Sequence, residues 1–101
     1  MNNAIKPWQF RDPVNLAVFS LRQIVFGDEP ILHVTHDSDD GGWQFLGANP
    51  PSEKDAVIVS LEEIVNIDPS ITVLSDLPVG WRARRGNKNE AWKREEAAKD
   101  L

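Results

Sequence analysis

The run His33 to Gly47, HVTHDSDDGGWQFLG, constrains this chain more than any other stretch. Two short runs with strand character, ILHVTH and WQFLG, flank an acidic loop whose paired glycines suit a tight reversal, so the run predicts a β-hairpin. Strand alternation sets Ile31, His33 and Thr35 on one face and Leu32, Val34 and His36 on the other. Pairing of Leu32 and Val34 with Trp43 and Phe45 is the expected stabilising contact across the hairpin. The remaining segments read as elements that extend or cover it.

Upstream, Lys6 to Pro13 is bounded by prolines and holds Trp8 and Phe10 at strand-like spacing, which predicts an irregular arm with its aromatics packed on the body. Asn15 to Phe19 is the first strand candidate. Ser20 and Gln23 match a capping box, giving one or two helical turns over Leu21 to Phe26 before Gly27; the β-branched Ile24 and Val25 keep a continuous strand from 16 to 26 open as the rival reading. Downstream, Ala48 to Asp55 reads as an exposed loop and Ala56 to Val59 as a buried strand. Ser60 and Glu63 form a second capping box ahead of a helix that ends near Ile67. Asp68 and Pro69 suit the N-cap and first position of another short helix. Trp81 to Arg85 is the closing strand, with Trp81 and Ala83 inward and Arg82 and Arg84 outward. In the final segment, Glu90 with Arg94 and Glu95 with Lys99 sit at the i,i+4 spacing of an exposed helix, one too short to persist unless Trp92 docks. The expected architecture is α+β: an antiparallel sheet of four or five strands with the Leu61 to Ile67 helix on one face. An arm over residues 1–14, one domain over 15–85 and a charged tail, helical or frayed, over 86–101 complete the organisation.

Charge divides the chain along the same line. Residues 1–81 carry 4 basic and 12 acidic side chains, net -8, whereas residues 82–101 carry 7 basic and 4 acidic, net +3. An acidic body repels phosphate backbones and makes nucleic acid a poor partner for the domain as a whole. The chain has no cysteine, which removes disulfides and thiolate metal sites and makes a reducing cytoplasm the expected location. No run reaches signal-peptide or membrane-spanning length, so no membrane partner is expected.

Candidate chemistry is sparse. The loop Asp37-Ser38-Asp39-Asp40-Gly41-Gly42 begins like a calcium loop, but the fifth position is Gly41 and the twelfth, where a bidentate glutamate belongs, is Ala48. His33 and His36 fall on opposite strand faces, so one ion cannot take both. His36 beside Asp37 and Asp39 is the candidate for a base or pH switch. No nucleophile elbow, phosphate-binding loop or dinucleotide fingerprint is present. Arg82, Arg84 and Arg85 beside Trp81 have the composition of an anion or base-stacking surface, but arginine is also the best partner for the chain's own carboxylates, and internal pairing is the favoured reading.

The order of these landmarks resembles a family of small bacterial domains of uncharacterised biochemistry, some classed as immunity proteins of polymorphic-toxin systems. The resemblance runs from Ala17 to Arg85 through Val18-Phe19-Ser20, Gly42-Trp43 with Phe45 and Gly47, Val59-Ser60-Leu61, Asp68-Pro69-Ser70-Ile71 and Pro78-Val79-Gly80. It departs at Gln44 and at Ala48-Asn49, where the family often has an arginine and an acidic pair. The resemblance implies an α+β fold and toxin neutralisation.

Three functional expectations follow. The first is a non-catalytic, immunity-like protein-binding module, without cofactor, metal or catalytic residues. It would meet a basic partner such as a toxin through Asp37, Asp39 and Asp40, with Trp43 as anchor and Arg82 and Arg84 as further contacts. The second is a small hydrolase or metal-dependent enzyme using His36 and the Asp37–Asp40 loop. The third is an anion or nucleic-acid contact through Arg82, Arg84 and Arg85.

Overall fold

The computed structural model describes residues 7–97. Residues 1–6 of the expected arm, and Lys99 of the expected Glu95–Lys99 pair, lie outside them. The fold is α+β, a six-stranded mixed sheet with short helices over one face. The strands are β1 (Ala17–Leu21), β2 (His33–His36), β3 (Trp43–Leu46), β4 (Ala56–Ser60), β5 (Trp81–Arg84) and β6 (Lys93–Glu96), in the spatial order β4-β1-β3-β2-β5-β6. The pairing of β1 with β3 is parallel and every other pairing is antiparallel.

The hairpin forms, but its core pairing is only partly the expected one: Val34 meets Phe45, whereas Trp43 lies opposite His36, Leu32 precedes the strand, and Ile31 is buried in the core cluster. His33 pairs with Leu46, Val34 with Phe45, Thr35 with Gln44 and His36 with Trp43. Asp37 and Gly42 close the loop through Asp37 N–H to the Gly42 carbonyl at 2.8 Å, and Gly41 N–H returns to the Asp37 carbonyl at 2.9 Å. Gly41 has φ +72°, a conformation that side chains with a Cβ rarely adopt. Leu32 reaches β3 by its backbone, donating to the Leu46 carbonyl at 2.9 Å.

One face of the sheet carries the core. Val18, Trp43, Phe45, Val34 and Ala83 point into it and are buried, and Leu61, Ile64, Ile71, Leu74 and Leu77 cover them from the helical side. The cover is α2 (Leu61–Ile67) followed by a 3-10 turn, Pro69–Leu74. Both begin as their sequences dictate: Ser60 Oγ accepts from Glu63 N–H and Glu63 reaches back to Ser60, while Asp68 accepts from Ser70 N–H. The arm packs on the body, with Phe10 buried and meeting Trp43 edge-on at 5.4 Å between ring centroids.

Four expectations are corrected. Leu21 to Phe26 does turn helical, as α1 (Arg22–Val25), but Ser20 makes no cap. It is the fourth residue of β1, and its hydroxyl donates instead to the buried Phe45 carbonyl at 2.8 Å. The β4 segment is an edge strand rather than a buried one, with Ala56 and Ile58 exposed, because among the described residues no strand lies beyond it in the sheet. The sheet has six strands instead of four or five. The sixth is the segment expected to be a helix: Lys93–Glu96 pairs with Trp81–Arg84, and the domain therefore continues past Arg85. Cross-strand partners replace the i,i+4 pairs there. Glu95 meets Arg82 and Arg84, and Arg94 meets Asp76 at 2.8 Å.

Candidate functional site

The second face of the sheet is open. Register sets Phe19 beside Gln44 and Ile58, Thr35 beside Gln44 and Arg82, and His33 beside Leu46 and Arg84. The face therefore grades from apolar at the β4 edge, through polar in the middle, to charged at β6. Phe19 is 49% exposed and Ile58 64%.

The acidic hairpin tip divides this face into two clefts. The first, of about 390 Å3, has Phe19, Leu21, Gln44 and Leu46 beneath it, Asp37, Asp39 and Asp40 on one side, and the Pro51–Glu53 loop on the other. The second, of about 800 Å3, is lined by His33, Thr35 and Arg82 of this face and reaches the strand ends at Trp81 and Glu96, which the register assigns to the other face. Asp37 borders both and is held by Gln44, whose amide donates to its Oδ2 at 2.8 Å. Asp40 Oδ1 accepts from Gly42 N–H at 2.8 Å, an interaction that shapes the turn. Asp39 and Asp40 are exposed and Asp37 is half-buried.

The arginines are committed elsewhere. Glu95 Oε2 accepts from Arg82 Nε at 2.7 Å and from Arg84 Nη2 at 3.1 Å, and those two arginines hold the Glu95 carboxyl below its usual range. Arg85 is only 8% exposed and cannot serve as the surface contact that its sequence neighbours suggested. Its Nη2 donates to Asp68 at 2.8 Å and to the Ile31 carbonyl at 2.9 Å, Nη1 reaches Ser70 Oγ at 3.2 Å, and the guanidinium lies 4.2 Å over the Trp92 ring. This one side chain ties the end of β5 to the strand entry, the 3-10 turn and the tail.

Trp43 is likewise corrected as a partner anchor. It is 1% exposed on the core face, with its indole N–H donating to Asp12 Oδ2 at 2.9 Å. The His36 ring stacks on it at 3.9 Å and shares a 2.7 Å hydrogen bond between Nδ1 and the Leu77 carbonyl. Because a carbonyl can only accept, Nδ1 carries the hydrogen. Among the described residues His36 makes no hydrogen bond to Asp37, Asp39 or Asp40, and no group of three or more histidine, aspartate or glutamate side chains converges in a way that could hold a metal ion. His33 lies on the open face, where burial first, and then Arg84 and Arg82, lower its pKa below 6.5.

The acidic tip was legible in the sequence, but Phe19 and Leu46 were not, because each sits beside apolar neighbours that blur the alternation, nor was Glu53, which lies in a polar 3-10 turn, Glu53–Asp55, that nothing local ties to the hairpin. The exposed cross-strand pair Phe19 and Ile58 becomes visible only when β1 and β4 are set in register. No family model, no curated protein and no solved structure matches the chain. Among the described residues no helix is long and apolar enough to cross a membrane.

Proposed function

We propose that the domain is a non-catalytic protein-binding module of the immunity or regulatory kind, which meets a basic partner through the hairpin tip and the open face beside it. One observation carries the reading. Among the described residues the ion pairs join Arg82 and Arg84 to Glu95, Arg85 to Asp68 and Arg94 to Asp76, so none neutralises Asp37, Asp39 or Asp40. The four arginines of the C-terminal segment are held by other carboxylates, and the three aspartates of the hairpin tip keep their negative charge without an ion-pair partner among the described residues. Such a surface steers basic proteins and gives fast association that weakens with salt. The resemblance to immunity proteins points to the same class of partner.

The test measures association of a nona-arginine peptide, and of basic proteins encoded beside this gene, with the native domain and with Asp37→Asn/Asp39→Asn/Asp40→Asn. The reading expects an association rate that falls with ionic strength, and a drop of about tenfold or more in the triple variant at low salt. Binding that is insensitive both to salt and to the triple substitution sinks it.

A further inference from the structure

Leaving a phenylalanine half in solvent at the centre of a strand forgoes the burial that usually accompanies its selection there. Phe19 does so at the floor of a cleft rather than on a flat surface, with Leu46 beside it and Pro51 on the wall. Around that apolar floor stand Asp37, Asp39 and Asp40 on the hairpin side and Glu53 on the loop side. None of the four joins an ion pair among the described residues. The cleft thus combines an apolar floor bearing an aromatic ring with anionic walls on both sides. At about 390 Å3 it lies near the lower end of the range for ligand sites, the scale of one large side chain and its immediate neighbours.

A neutral hydrophobic side chain would satisfy the floor but leave the carboxylates desolvated without a partner, and a compact cation would satisfy the carboxylates but not the ring. An arginine side chain does both. Its methylenes cover Leu46, its planar guanidinium stacks on an aromatic face, and its fork of N–H donors fits carboxylates that lysine would meet as a point charge. We propose that the Phe19 cleft receives a single arginine side chain of the partner, with the guanidinium lying over Phe19 between the Asp37–Asp40 wall and Glu53. The inference rests on the binding reading above and adds to it a defined subsite and the side chain that fills it.

The probe is N-acetyl-arginine amide, titrated into the isotopically labelled domain and followed by NMR, with N-acetyl-lysine amide as comparison. The expected result is saturable shifts confined to Phe19, Gln44, Leu46, Ser52 and the hairpin tip, larger for arginine. Phe19→Ser should abolish them and weaken nona-arginine binding about tenfold, while the salt dependence of that binding stays as in the native domain. Because Phe19 lies outside the core, its thermal unfolding should be nearly unchanged, which separates a lost subsite from a lost fold. Shifts spread over Glu62, Glu63 and other carboxylates, or equal responses to lysine and arginine, overturn the subsite. If nona-arginine binds with salt dependence but ignores Phe19→Ser, the subsite falls and the acidic-tip reading stands; if neither probe binds, both fall.

Discussion

At the scale of single residues, Arg85 is placed opposite to what exposure rules suggest and Trp43 in keeping with them. Trp43, next to an acidic loop, is core, and Arg85, last of three arginines in a basic run, is interior. Both side chains have partners far away in the chain. Trp43 meets Phe10 and Asp12 of the arm, and Arg85 pairs with Asp68; the hairpin alternation already turned Trp43 inward, whereas the sequence around Arg85 is silent on its burial. Trp43→Ala is expected to cost about 3 to 5 kcal/mol, because it removes a buried aromatic and leaves the Phe10 and His36 rings facing a void. A denaturant titration measures it. An unchanged midpoint would mean that Trp43 is exposed and would return it to the candidate binding surface.

At the scale of elements, legibility tracked how local the determinants were. The hairpin, the α2 capping box and the Asp68-Pro69 start were readable because each is specified within a few residues. Ser20 looked like a cap because serine three residues ahead of glutamine carries the same local pattern, but tertiary pairing with the Phe45 carbonyl took the hydroxyl. The tail was the larger miss. KREE has no strand propensity, and its i,i+4 charges suit a helix, yet register against WRAR sets Arg82 opposite Glu95, while Arg94 reaches Asp76. Nothing in the tail reveals that complement; it exists only once β5 is in place. Replacing both Arg82 and Arg84 with glutamine is therefore expected to lower the melting temperature by a few degrees and to leave DNA retention undetectable, as in the native domain. Gel-shift assays at two salt concentrations check the second half. Tight, salt-dependent DNA binding lost in the double variant would instead make these arginines a phosphate site.

At the scale of the whole molecule, acid should loosen the fold in two stages. His33 has a folded pKa below 6.5, so the native state resists the proton that the unfolded chain accepts, and stability present above 6.5 drains away as pH falls through that value. Asp76 and Glu95 are also lowered, from 3.8 and 4.5, each chiefly by hydrogen bonds from arginines, and their contributions fade at lower pH as they take up protons. Melting temperature followed from neutral to acid pH should show the first decline in the native chain and lose it in His33→Asn; a first decline that survives in that variant would assign it to another group. The edges of the sheet complete this picture. In the β1 and β4 ladder, Leu61 N–H donates to the Leu16 carbonyl, a register that turns the backbone groups of Ala56, Ile58 and Ser60 away from β1. Ala56 N–H is already taken by the Glu53 carbonyl and Ser60 N–H by the Glu63 carboxylate. Two features that start and end short helical segments thus also occupy two donors that an approaching strand would use, leaving Ile58 as the one residue of β4 with an outward N–H that these bonds do not occupy. The capping box of α2 thus occupies a donor of the sheet's edge as well as starting a helix, and a change at Glu63 would free that donor on a strand side open to another chain.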